Sequence, residues 1–219
     1  MTNATRALRQ TDLPATPNPA IALLEQRVSA SRFDPGHVLA DTEIAELTRL
    51  ATLAPSAYHL QNWKIIAVRT AAAKATLRRL AFGQAKVSEA AVTFILIGQL
   101  PDHLSLAERL RPFVELGHMP AEMVADWQGQ ARAQYADPLI ARDEAIRSAS
   151  LAAAMLIEAA SALGLASCPM GGFNPAGVAS AFDLGPDEVP VMLVAVGRAA
   201  DGNWPRKPRR KLAEILDIR

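Results

Sequence analysis

The sequence predicts a single α+β domain, on three observations. Its 219 residues are half hydrophobic, enough for one sizeable core. Segments with helical periodicity outweigh those with strand character. The two kinds intermix, with no repeat and no second domain, as in α+β chains. Residues 19–219 are expected to form that domain, and residues 1–18 a mobile arm. The arm carries Arg6 and Arg9 without a following apolar run, and three prolines lie between Thr11 and Pro19, so it does not read as a signal peptide.

Ile21 to Val28 reads as a short helix, with Ile21, Leu24 and Val28 on one face. Asp41 is the expected N-cap of the next helix, whose apolar positions are Ile44, Leu47, Leu50 and Ala51; Pro55 should stop it. Trp63–Val68 is a strand, and Ala71–Leu80 a helix. Val92–Gly98 is apolar almost throughout, the mark of a central strand covered on both faces. Residues 101–138 read as an excursion of short helices around Leu106–Leu116 and Ala121–Tyr135. Asp143–Leu163 is the longest helix, closed by Gly164 at the C′ position. It is apolar nearly all round between Ala149 and Leu156, so a second subunit is expected to cover one side. Asn174-Pro175 opens a short helix, Val189–Val196 is the third strand, and Pro208–Ile218 is helical.

Composition narrows the function. With 23 basic and 22 acidic residues the net charge is +1, and no overall field draws the chain to nucleic acid or an anionic membrane. No segment reads as transmembrane; Ser148–Leu165 is broken by polar residues and reads as a buried helix. The single cysteine, Cys168, excludes an intrachain disulfide and fits a cytoplasmic setting. The four histidines have no metal-site spacing. No Gly-x-Gly-x-x-Gly string supports a dinucleotide fold, and no Gly-x-Ser-x-Gly elbow a serine nucleophile.

Three polar strings carry chemistry. Arg27-Val28-Ser29 places a guanidinium and a hydroxyl two residues apart, on one side of an extended stretch, which suits a phosphate. Lys207 and Arg209, in the basic run near the C-terminus, can add charge to it. A solvated surface is the plainer reading of both. Pro55-Ser56-Ala57-Tyr58-His59-Leu60-Gln61 offers hydroxyl, imidazole and amide groups between a helix and a strand, where ligand sites are often built. Pro169-Met170-Gly171-Gly172 reads as a loop whose glycines let backbone approach a ligand.

In order and spacing these strings resemble the nitroreductase family of FMN-dependent oxidoreductases, from about Ala20 to the C-terminus apart from 101–138. Its Arg-x-Ser-x-Arg/Lys pattern is matched by Arg27, Ser29 and Ser31. Its Pro-Ser-x-x-Asn-x-Gln-Pro-Trp pattern is matched by Pro55, Ser56, His59, Gln61, Asn62 and Trp63, and its Pro-x-Glu/Gly-Gly-Phe loop by Pro169 to Phe173. The resemblance implies a central, mostly antiparallel sheet flanked by helices, in an intertwined homodimer with FMN at the subunit interface. It implies NAD(P)H as co-substrate and ping-pong transfer to a small-molecule oxidant such as a nitroaromatic or quinone. Arg27, Val28, Ser29, Lys207 and Arg209 would hold the phosphate; Pro169, Met170, Gly171 and Gly172 would meet the flavin ring. Gln84 and Lys86 would reach its pyrimidine edge. Pro55, Ser56, Ala57 and His59 would come from the other subunit. Ser31 stands where many members place a cation near flavin N1, His59 replaces Asn, Asn62 replaces Pro, and Gly171 replaces a Glu of some members. The rival readings are a flavin-binding sensor with little turnover, another flavin chemistry on the same fold (reductive dehalogenation or flavin breakdown), and a helical interaction module.

Overall fold

The structure, a computed structural model, describes residues 18–219. The expected arm therefore lies outside the described residues except for Asn18. That side chain accepts from Ala20 N at 2.9 Å and caps α1 (Pro19–Gln26). The α2 helix (Asp41–Ala51) begins differently from the expectation. Asp41 is its first helical residue, and Ala40 takes the N-cap position; Glu43 reaches back to Ala40 N at 2.8 Å, and Asp41 pairs with Arg69. The helix also ends four residues before Pro55.

Four strands form one antiparallel sheet in the order β1-β2-β4-β3. They are β1 (Trp63–Val68), β2 (Val92–Gln99), β3 (Ala166–Met170) and β4 (Glu188–Gly197). The α3 (Ala71–Leu80) and α4 (Lys86–Glu89) helices connect β1 to β2. An α5 (Leu106–Glu115) and α6 (Ala121–Gln134) pair forms the excursion. The α7 helix (Pro138–Ala162) leads to β3, and α8 (Pro175–Ala181) to β4.

β2 is buried from Val92 to Gly98 because both its faces are covered. Alternation sends Ile95 and Ile97 into a core with Leu77, Val87 and Val178, from α3, α4 and α8. It sends Val92, Phe94 and Leu96 into a second core with Leu47, Ala153 and Leu156, from α2 and α7. The result is a helix–sheet–helix stack. α7 is long and apolar enough to cross a membrane by length and composition alone, but it lies on the sheet and buries Ala145, Ala149, Ala152, Ala153, Leu156 and Ala160 there. It starts five residues before the expected Asp143, with Asp137 as N-cap and Pro138 in its first turn.

Two further expectations fail. Pro169 and Met170 lie in a strand, β3, and not in a loop, and the sheet has four strands and not three. Pro169 explains both the miss and the placement. A proline cannot donate to a ladder, so it belongs on an edge, and β3 is an edge strand. The C-terminal tail has a single 3₁₀ turn at Leu212–Glu214 in place of a helix.

Gly98 marks the closest approach of sheet and helix. A Cβ there would stand 2.3 Å from the Ala145 carbonyl oxygen of α7. Backbone on both sides leaves nothing to yield. Gly98→Ala is expected to cost about 1–3 kcal/mol. That lowers Tm by roughly 2–4 °C per kcal/mol in a chain of this size. Calorimetry showing an unchanged Tm would refute the contact.

Candidate active site

The segment after α1 runs beside β3. Ser29 bridges Ser167 in parallel fashion, and Ala30 N donates to Ser167 O at 3.0 Å. This holds Arg27 and Ser29 on one side, with Arg27 Nη1 3.5 Å from Ser29 Oγ. They line a cleft of about 120 Å³ with Val28, Trp204, Pro205, Arg206, Lys207 and Arg209. Arg206 is the cation that sequence reading left out, and it serves the fold. It donates to the carbonyls of Glu25 at 2.8 Å and Leu24 at 3.2 Å, closing the C-terminal end of α1. A second residue missed is Glu158, whose Oε1 lies 3.9 Å from Arg27 Nε. Its Oε2 is buried without a hydrogen-bond partner. A lone charge in the apolar second half of α7, after Arg147, was the only signal for it. Forked and flexible cations around a small cleft fit a phosphate.

Ser31 does not enter that cleft. Its hydroxyl lies 3.3 Å from Asn203 Oδ1, and the same oxygen accepts from Ser31 N at 2.7 Å and Arg32 N at 3.0 Å. Asn203 also donates to the carbonyls of Arg32 and Ala200, so it clasps this strand-like segment to the chain after β4. Nothing local in the sequence announces that role.

A second group lies along β3 toward its C-terminal end, where Gly171 stands about 13 Å from Ser167 at the rise of a strand. Phe82 and Gly83 have φ of 55° and 77°, and this left-handed turn delivers Gln84 and Lys86. Gln84 Nε2 donates to Gly172 O at 2.8 Å. Lys86 Nζ approaches Cys168 Sγ at 3.4 Å, a contact between residues 82 apart in the chain. Cys168 is buried as expected of a small hydrophobe, but its partner comes from tertiary structure. A Cβ added to Gly171 would meet nothing within 4 Å, so one face of this strand end is open to a planar group. The Arg27 cleft and this open end, joined along β3, suit a ligand with a phosphate at one end and a flat ring at the other.

The Pro55–Gln61 string forms a 3₁₀ turn at Ala57–His59, with φ of 51° at Tyr58, 60° at His59 and 44° at Gln61. Left-handed backbone costs non-glycine residues roughly 1–2 kcal/mol each. Ser56 Oγ accepts from Gln61 N at 2.9 Å, which draws the hydroxyl into the turn itself. His59 Nε2 and Gln61 Nε2 are 2.8 Å apart. Leu60 is buried in a satellite core with Leu106, Leu110, Met119 and Ala131, and Arg109 donates to its carbonyl. Trp63 packs beside Ala54 and Ala152. Asn62, 2% exposed, donates to Gln99 O at 2.8 Å. This turn precedes β1, at the sheet edge opposite β3. Three strand spacings separate the edges, about 14 Å. Within one chain, then, the turn is not brought to the Arg27 and Gly171 groups.

The sequence matches the model of the Nitroreductase family over residues 24–198. It is 33% identical over 177 residues to YodC of Bacillus subtilis, named for an NAD(P)H nitroreductase, covering 81% of this chain and 88% of that one. It is 33% identical over 195 residues to an NADH dehydrogenase of Thermus thermophilus, covering 88% and 92%. A structure from Exiguobacterium sibiricum solved in complex with FMN superposes with a TM-score of 0.84 at 26% identity, over 94% of this chain and all of that one. Motifs, the antiparallel sheet and these similarities agree, and the chain belongs to the nitroreductase family.

Proposed function

We propose that residues 19–219 form one FMN-binding domain of an NAD(P)H-dependent oxidoreductase. It would pass reducing equivalents to a nitroaromatic, a quinone or a similar small oxidant. The observation that carries the reading is the alignment along β3 of a cationic cleft with an open, glycine-faced strand end. FMN, when bound, supplies the hydride chemistry; the protein supplies placement and electrostatics. Arg27, Ser29, Lys207 and Arg209 hold the phosphate, and Val28 lines the cleft. Pro169, Met170, Gly171 and Gly172 border the ring, with the Gly172 carbonyl steadied by Gln84. NAD(P)H and oxidant use the exposed face in turn, the ping-pong order. The family membership and the FMN-bound relative support this reading.

The working unit in this proposal is a homodimer, in which Pro55, Ser56, Ala57 and His59 of one subunit complete the site of the other. Two observations support it. The turn and the β3 site lie at opposite sheet edges. Leu151 and Met155 of α7 stand 40% and 37% exposed, and the tail leaves Leu212, Ile215, Leu216 and Ile218 uncovered. The test is anaerobic. The purified protein should be yellow, bleach on adding NADH or NADPH, and recover with a quinone or nitroaromatic. A protein that stays yellow is a binder without turnover, and one that takes up no FMN refutes the proposal.

Lys86 tunes the flavin in the same proposal. A cation near N1 stabilises the reduced, anionic ring more than the neutral oxidised one. Ser31 offers no charge, and sulfur is a weak acceptor, so the Lys86 ammonium is able to leave Cys168 for a better partner. Lys86→Met should lower the midpoint potential. A loss of one pK unit of stabilisation is about 1.4 kcal/mol, or about 30 mV for a two-electron couple. Spectroelectrochemical titration decides it, and equal midpoints refute the role.

A further inference from the structure

The left-handed turn at Ser56–Gln61 is held both within itself and from outside. Within it, His59 N donates to Ser56 O at 3.3 Å, Leu60 N to Ala57 O at 2.8 Å and Gln61 N to Ser56 Oγ at 2.9 Å. None of these bonds engages the Tyr58 side chain, whose backbone is among the left-handed ones. The excursion does. The Tyr58 ring meets Trp127 edge-on at 5.9 Å between centroids, and Tyr135 at 6.3 Å. Its hydroxyl donates to Gln134 Oε1 at 2.8 Å, and Gln134 Nε2 lies 3.4 Å from the Tyr135 hydroxyl.

Tyr135 leads on to the core. It lies against Glu144, a buried residue of α7 that also accepts from Ser148 Oγ at 3.0 Å and pairs with Arg147. Burial first, and then the Glu144 carboxylate, push the Tyr135 phenol well above its ordinary range, so it keeps its proton as a donor. A polar chain thus runs from the turn to Tyr135 at the end of α6. Backbone in sparsely populated conformations persists where its surroundings over-determine it, and such backbone clusters at functional sites.

We propose that the Tyr58–Gln134–Tyr135 chain is a clamp by which the excursion sets the pose of the Ser56–His59 turn, making Gln134 and Trp127 positioning residues for the cofactor site. The positioning role rests on the FMN reading above; the clamp does not. Residues 101–138 then act as the seat of a site element.

Two variants test it: Tyr58→Phe removes the hydroxyl and keeps the ring, and Gln134→Leu removes the acceptor. Amide hydrogen exchange on the cofactor-free protein should speed up at residues 57–61 by about fivefold, the scale of one net hydrogen bond, with β2 unchanged. FMN affinity should fall by a similar factor, and the visible circular dichroism of bound FMN should change. Unchanged exchange at the turn in both variants overturns the clamp. So does an equal acceleration in β2, since the effect is then global. Faster exchange with wild-type FMN affinity and dichroism overturns the positioning role. A wild-type protein that takes up no FMN overturns the flavin reading and the positioning role together, while the exchange comparison still judges the clamp.

Discussion

Arg27→Ala is expected to weaken FMN binding roughly ten- to a hundredfold, corresponding to the 1.5–3 kcal/mol of a charge-assisted hydrogen bond. The structure sharpens the prediction. Arg27 stands between Ser29 and Glu158, so its guanidinium is held before a phosphate arrives. Arg27→Lys keeps the charge but not the fork, and should recover only part of the loss. Lys207 and Arg209 remain in the same cleft in both variants, so binding should weaken and not vanish. Fluorescence titration of the apoprotein with FMN measures it. Arg27→Ala with full cofactor and wild-type affinity would remove Arg27 from the site.

Leu151→Glu and Met155→Glu should dissociate the proposed dimer, and Ala153→Glu should instead unfold the subunit. The all-round apolar stretch Ala149–Leu156 leaves the partner-facing side of the long helix open. Ala153 and Ala160 are fully buried in their own subunit, Ala153 among Val92, Phe94 and Leu96. A carboxylate there has no partner and no water. Leu151 and Met155 lie on the uncovered side. An unpaired carboxylate set into an apolar interface costs about 3 kcal/mol, near a hundredfold in dissociation constant. Sedimentation velocity with FMN content separates the outcomes. Leu151→Glu and Met155→Glu both remaining dimeric at high dilution, with cofactor bound, would refute this face as the interface.

Local sequence determined most of the elements, because their signals are local. β1 and α3 have the bounds their periodicity predicts, β2 runs one residue longer, and Asn174 caps α8 through Gly177 N. α5 and α6 lie where the sequence put them, though the reason for an excursion did not show. The three polar strings were also legible, since a polar run between apolar segments stands out by composition alone.

Tertiary structure decided what those strings touch. β3 was hidden because five residues that include a proline look like a loop until β4 pairs with them. The Lys86–Cys168 contact, the Asn203 clasp and the Tyr58–Gln134 bond join residues 82, 172 and 76 positions apart, and no window along the chain sees them. Whether an alanine of α7 faces the core or the outside was equally closed to sequence. A helix apolar on every side has no periodicity to break the tie, and only the sheet packed beneath it does.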